Sequence, residues 1–217
     1  MKNIPRIFVG DNVQTGDVLP ATSDILHYLT RVMRRIDFLA FGGGREFNAT
    51  LNANNIIIGE QTAHADPTYD TELYFAPIKR TDDLVNMATQ MGVRGLHPVI
   101  TEHTVTEHIN WDRMRKIAIE AAEQSNRNSI PIIYEPISFS KLDLSAMCFA
   151  DERYAYDNAA SKSLVLNTNR ILVGPEGGFS DSEFAALDAA GAVPVSLGKT
   201  ILRAELAAAI ALDKLKK

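Results

Sequence analysis

The residues best suited to chemistry lie in two glycine-rich segments near the C-terminus. In Leu172-Val173-Gly174-Pro175-Glu176-Gly177-Gly178-Phe179-Ser180 an apolar strand runs straight into a glycine-rich loop. Ser180 or Asp181 then caps a helix, and Glu183, three residues after Ser180, is placed to close a capping box. This is the crevice position at which open α/β sheets take ligands, and glycines let a ligand approach the backbone closely. The spacing is not G-x-G-x-x-G, and no Gly-Lys-Ser/Thr follows. The loop is therefore neither a dinucleotide fingerprint nor a phosphate-cradling loop. Further on, Ser196-Leu197-Gly198-Lys199-Thr200-Ile201-Leu202-Arg203-Ala204-Glu205-Leu206-Ala207 repeats the order of strand, glycine turn and helix. Two such turns are expected to form neighbouring walls of one pocket. Glu205 suits the positive end of its helix dipole. Arg203, expected in the same first turn, does not suit it, so a partner such as Glu205 or Glu176 is expected.

The elements that must position these loops follow from periodicity. Short apolar runs over 7–9, 36–41, 46–51 and 56–58, separated by Gly/Asn turns, read as the strands of a small barrel. One helix interrupts them, capped by Thr22 or Ser23, with Ile25, Leu26, Leu29, Val32 and Met33 at three- and four-residue steps. The pattern fades over 59–71, where the domain boundary is expected. Strands at 72–76, 96–100, 146–150, 171–173 and 193–196 then alternate with helices at 81–91, 111–125, 182–190 and 202–214. That alternation implies an α/β domain whose mostly parallel sheet is covered on both faces. The last helix is rich in alanine, which suits either tight packing within the chain or self-association.

Composition narrows the function. The 217 residues carry 22 Lys+Arg and 27 Asp+Glu, a net charge of −5. Neither part is a basic module: 6 basic against 8 acidic residues fall in 1–70, and 16 against 19 in 71–217. Affinity for arbitrary RNA is therefore expected to be weak. The single cysteine, Cys148, excludes an intrachain disulfide, and its apolar surroundings suggest a buried core residue. The start of the chain lacks the apolar region of a signal peptide. No apolar run nears the roughly 20 residues that span a bilayer. A cytoplasmic protein with no membrane contact is expected. His103 and His108 are not at metal-ligand spacing, and no metal is expected.

"GPEGGFS" followed by "SLGKTILRAELAA" closely resembles the signature of RsmE-type methyltransferases, the 16S ribosomal RNA uridine-N3 methyltransferases of the SPOUT class. The resemblance extends to Glu120-Ala121-Ala122-Glu123-Gln124-Ser125-Asn126-Arg127 with Ile130-Pro131, and to Gly92-Val93 with His97-Pro98-Val99 and Thr101-Glu102-His103. His27-Tyr28-Leu29-Thr30-Arg31-Val32-Met33-Arg34 is similar to the family's N-terminal H-x-L-x-x-V-L-R stretch. Departures from the usual pattern are Leu206 in place of threonine, and Met87 and Gln90 in place of a lysine and an acid.

The resemblance implies a PUA-like β-barrel over 1–70 that helps grip RNA. It implies a SPOUT α/β methyltransferase domain over 71–217 with a C-terminal deep trefoil knot. It also implies S-adenosylmethionine as cofactor, S-adenosylhomocysteine as product, a homodimer, and 16S ribosomal RNA in the small subunit as substrate. Position by position, it puts the cofactor against Val173, Gly174, Pro175, Glu176, Gly177 and Gly178, and against Leu197, Gly198, Ile201, Leu202 and Arg203. Phe149 and Ala150 form a third wall. Arg127 is the candidate cation beside the uracil, with Glu123 to orient it. Arg31, Arg34 and Arg35 are candidate phosphate contacts, or a solvated helix face. Alternatives that keep the fold are another RNA target, either a base or a ribose 2′-hydroxyl, and a non-catalytic ribosome-assembly factor.

Overall fold

The structure, a computed structural model, describes residues 4–105, 109–156 and 168–215; His108 lies outside them. The chain divides into two compact units, Met1–Thr68 with Ile119–Ile130, and Tyr69–Ala118 with Pro131–Lys217.

The first unit holds β1 (Arg6–Phe8), β2 (Val18–Pro20), α1 (Ser23–His27), β3 (Asp37–Gly42), β4 (Arg45–Asn52) and β5 (Asn55–Gln61). Among the described residues its strands form one sheet in the order β1-β3-β4-β5-β2, with β1 parallel to β3 and the other pairs antiparallel. In β4, Phe47, Ala49 and Leu51 are buried while Asn48, Thr50 and Asn52 are exposed, the period-2 signature of a half-buried strand. A register shift between Phe47 and Ala49 bends the β4–β5 pair and helps curl the sheet. Ile7, Leu29, Phe38, Phe47, Ile56 and Ile58 share its core.

Two expectations change here. The strand β2 was not legible, because a three-residue edge strand ending in Pro20 carries almost no periodicity. The helix is also irregular. After five α-helical residues the chain continues over Tyr28–Met33 as a π-helical turn, ended by Arg34 at φ 53°. The wider turn breaks the 3.6-residue period. Leu29 reaches the core, but Val32 is 58% exposed.

The second unit holds β6 (Glu72–Phe75), α2 (Thr81–Gln90), β7 (Gly95–Ile100), the start of α3 (Trp111–Ser125), β8 (Ile132–Ile133), β9 (Ile137–Ser138), β10 (Cys148–Ala150), α4 (Arg153–Tyr156), β11 (Arg170–Val173), α5 (Asp181–Ala189), β12 (Val193–Val195) and α6 (Ala204–Leu215). Among the described residues the strands run parallel in the order β12-β10-β11-β6-β7-β8, with β9 beside β7. One face packs Val99, Phe149 and Leu172 against Leu187 of α5 and an aromatic cluster of Phe139, Phe179 and Phe184. The other face is covered by α6, which packs on β11, β6 and α2. A sheet buried on both faces explains why its strands read as continuous apolar runs. Cys148 is fully buried.

Helix ends refine the sequence reading. Ser180 caps α5 with a complete capping box to Glu183. Thr81 does not cap α2. Its hydroxyl closes the preceding turn, donating to the Ile78 carbonyl and accepting the Ile78 N–H, and Arg80 takes the cap position. α6 starts at Ala204, later than expected, so Arg203 only lends its carbonyl to the Ala207 N–H. Four of the alanines of α6 (Ala204, Ala207, Ala208 and Ala211) are buried within the chain itself, whereas Leu206 is 44% exposed.

Candidate functional site

The C-terminal ends of β10, β11 and β12 surround a cavity of about 290 Å³ within the second unit. Its walls are Ala150, Asp151 and Glu152 after β10, then Val173, Gly174, Pro175, Glu176, Gly178 and Phe179 after β11. Leu197, Gly198, Thr200, Ile201, Leu202 and Arg203 follow β12, with Ala155, Ala204 and Ala207 completing the lining. The two glycine loops are thus neighbouring walls of one pocket, at the carboxyl edge where parallel sheets bind ligands. Of the residues singled out in the sequence, Phe149 and Gly177 do not line it. Phe149 is a buried strand residue in the aromatic cluster.

The first loop is held from several sides. Glu183 is 6% exposed; one carboxylate oxygen accepts the Ser180 N–H and the other the Glu102 N–H, each at 2.9 Å. His103 Nδ1 lies 3.2 Å from the carbonyls of both Gly177 and Gly178, so a proton there is shared between them. Two glycines serve the loop's own geometry. A methyl group on Gly174 would press into the Phe179 ring at 3.2 Å. At Gly178 the φ of +71° is what favours glycine, since a methyl group there would displace only the flexible end of the Glu152 side chain. At Gly198, φ is +127° and open space lies where its side chain would be. There the positive φ, and not crowding, is what calls for glycine.

Charge in the cavity is sparse. Asp151 is 5% exposed and locked by the Arg153 guanidinium, which also pairs with Asp188. Glu176 accepts the Lys79 N–H at 3.3 Å. Glu205, one of the two partners expected for Arg203 beside Glu176, is buried and bonded at 2.8 Å to Arg80 instead. Among the described residues neither the exposed Arg203 guanidinium nor the Glu152 carboxylate has a hydrogen-bond or ion-pair partner. The Glu152 carboxyl is pushed up by burial first and by Asp151 second, while His103 opposes the shift.

Residues 65–216 match the RNA methyltransferase domain family. The chain is 33% identical over 230 residues to the ribosomal RNA small subunit methyltransferase E of Rickettsia conorii, an alignment covering 97% of this chain and 94% of that protein. The chain belongs to the ribosomal RNA small subunit methyltransferase E family. Two crystal structures share its fold. One is a family member from Neisseria gonorrhoeae bound to S-adenosyl methionine, with TM-score 0.83 and 23% identity, covering 99% of this chain and 97% of that one. The other is a probable rRNA-methyltransferase from Porphyromonas gingivalis, with TM-score 0.79 and 27% identity, covering 98% and 97%.

Within this family member the remaining candidate residues lie in the first unit. Arg127 follows Asn126, which adopts φ 64° just beyond α3. Arg127 is 3% exposed, and its Nε donates to Ser129 Oγ at 3.3 Å. Glu123 accepts the Phe8 N–H at 3.1 Å, and burial pushes its carboxyl up. Neither lines the cavity. Sequence reasoning missed Arg6, which organises this turn. Its guanidinium pairs with Glu46 at 2.9 Å and donates to the carbonyls of Ala122 and Arg127 and to the Asn128 side chain. It also lies 4.5 Å from the centre of the Phe41 ring. Arg34 and Arg35 line a second cavity of about 730 Å³ with Asp37, Asn48 and Thr50; Arg31 is exposed outside it. Among the described residues no group of three or more His, Cys, Asp or Glu side chains could hold a metal. No described helix is long and apolar enough to cross a membrane.

Proposed function

We propose that this protein is an S-adenosylmethionine-dependent methyltransferase acting on N3 of one uridine in 16S ribosomal RNA. The observation that carries the reading is the single cavity walled by both glycine loops, in a chain of this family. The residues present fit the cofactor. A mostly apolar cavity of about 290 Å³ falls just short of the usual range of small-molecule sites, roughly 300–1,000 Å³. Gly198 lines it without a side chain.

The cofactor supplies a methyl group already activated on a positively charged sulfur, so no covalent enzyme intermediate is needed. Val173, Phe179, Leu197, Ile201, Leu202 and Ala207 supply apolar walls that exclude water, while the loop backbone orients the ligand. A neutral imide nitrogen is a poor nucleophile, so N3 must shed its proton. A nearby cation favours the anion, and Arg127 is the proposed source, with Glu123 in support. Arg31, Arg34 and Arg35 are proposed to contact RNA phosphate.

The domains are proposed as a PUA-like barrel over 1–70 and a SPOUT methyltransferase domain over 71–217. A C-terminal trefoil knot is supported by the order β12-β10-β11, in which the last strand lies beside the first of the three. A homodimer is supported by Ile201, 57% exposed, and Leu206, 44% exposed, which leave an apolar surface at the start of α6. The assembled small subunit in the cytoplasm is the proposed setting, because neither part of the chain is basic enough to grip RNA by charge alone. The test is deletion of the gene, digestion of 16S ribosomal RNA and mass spectrometry of its nucleosides. Loss of 3-methyluridine, restored by the intact gene, is expected; an unchanged nucleoside profile overturns the reading.

A further inference from the structure

A further cavity of the second unit, of about 410 Å³, shares no lining residue with the one walled by the glycine loops. Met147 and Arg170 place it at the amino ends of β10 and β11, whereas the first cavity lies at their carboxyl ends. One wall is a ladder of three aromatic rings. Tyr74 of β6 and His97 of β7 are register partners, and Tyr134 follows β8 in step with them. The ring centroids are 4.2 and 4.0 Å apart, with planes 7° and 9° from parallel. Neighbouring strands lie about 4.8 Å apart, so rings in register meet face to face. Glu72 fixes the middle ring, since its carboxylate accepts from His97 Nε2 at 2.8 Å and from Arg94 Nε at 2.6 Å. The strand order ends at β8, and among the described residues no fourth ring stacks on Tyr134, which is 36% exposed.

Charged groups complete the lining. Among the described residues neither the Lys141 ammonium nor the Arg170 guanidinium has a hydrogen-bond or ion-pair partner. Two carboxylates line the same cavity. Asp143 is engaged by the Ser145 hydroxyl at 2.7 Å, whereas Glu135 is exposed and has no partner among the described residues. The cavity therefore combines a flat aromatic wall, two uncommitted cations and one uncommitted acceptor. Its volume falls within the usual range of small-molecule sites, roughly 300–1,000 Å³.

We infer that this cavity holds one nucleotide, with its base packed on the aromatic ladder, its phosphate held by Lys141 and Arg170, and Glu135 accepting from the edge of the base. Every base has a π-face, so an aromatic platform takes it whatever its identity. A phosphate takes charge-assisted hydrogen bonds from both cations, and the planar Arg170 fork matches its oxygens. Guanine, with two adjacent N–H donors on its Watson–Crick edge, suits the carboxylate best. Two sources carry this chemistry: a nucleotide within a single-stranded RNA segment, and a free mononucleotide. A duplex does not fit, because its bases are already stacked on each other. The site is separate from methyl transfer and stands without the cofactor reading.

The test is calorimetric titration of the full chain with guanosine 5′-monophosphate, guanosine and inorganic phosphate, with S-adenosylhomocysteine in excess to fill the other cavity. The wild type is expected to bind the nucleotide at least tenfold more tightly than either of its parts. Tyr134→Ala is expected to weaken the nucleotide about tenfold, the scale of one lost stacking contact. Lys141→Met is expected to weaken it about tenfold, the worth of one charged hydrogen bond, and to leave guanosine unchanged. Both side chains are exposed, so the variants keep the fold. Displacement of the bound nucleotide by a single-stranded RNA hexamer assigns the site to an RNA strand; failure to displace it assigns the site to a free nucleotide. A wild type that does not bind the nucleotide overturns the inference. So does phosphate bound as tightly as the nucleotide, which marks an anion site only, and so do variants that bind the nucleotide as tightly as the wild type.

Discussion

Arg6 offers the sharpest test of how the first unit is held together. Its side chain is 6% exposed and that of Glu46 is 5% exposed, so solvent does little to screen the pair. Replacing Arg6 with Met removes the cation and leaves the Glu46 carboxylate with the Thr62 hydroxyl, at 2.8 Å, as its remaining donor. It also strips donors from the carbonyls of Ala122 and Arg127 at the end of α3. Breaking a buried pair from one side costs about 3–5 kcal/mol. That is a large share of a total stability of roughly 5–15 kcal/mol. The double variant Arg6→Met/Glu46→Gln removes the stranded charge and should recover about 2 kcal/mol. Recovery stays partial because the Arg127 carbonyl and the Asn128 side chain still lack their Arg6 donor, while the Ala122 carbonyl keeps only the Arg127 N–H. Urea titrations followed by circular dichroism measure both quantities, provided the slope of each transition is unchanged. A loss below about 1 kcal/mol in the single variant, or no recovery in the double, would refute a buried, structure-bearing ion pair.

Three further outcomes are expected. Arg127→Ala should lower turnover by about 100-fold, the scale of one lost charge-stabilising donor, while leaving S-adenosylhomocysteine affinity unchanged. Equal turnover in variant and wild type removes Arg127 from the mechanism. Cys148, whose thiol burial pushes up to about 11, should resist iodoacetamide at pH 8 in the folded protein and react fully in urea, read by mass spectrometry. Rapid labelling of the native protein contradicts the buried assignment. His97 is stacked between Tyr74 and Tyr134 and bonded to Glu72, and burial holds it below its ordinary 6.5; Arg170 and Arg94 push the same way, while Glu72 opposes them. A histidine depressed in the fold contributes stability that is present above 6.5 and is lost as the pH falls through its folded value. His97→Phe should therefore flatten the decline in urea midpoint below that pH; a decline as steep as in the wild type rules His97 out as its source.

The chemistry-bearing loops, the α/β alternation and the family were legible in the order of the residues alone. Each is written in local residue order: glycines after an apolar run, a serine with a glutamate three residues on, and a motif read letter by letter. The capping box of α5 was legible for that reason. What local order does not carry is which distant residues meet. The partner of Glu205 is Arg80, 125 positions away, and not its neighbour Arg203. Glu152 carries no motif, yet it lines the cavity because the strand order brings the ends of β10, β11 and β12 together. Arg6, part of an unremarkable N-terminal stretch, reaches 116 positions along the chain to the end of α3. The π-helical turn and the edge strand β2 were hidden because tertiary packing overrode or shortened their periodicity. Long-range pairing is decided by topology and burial, and a buried charge must find its partner wherever the fold places one.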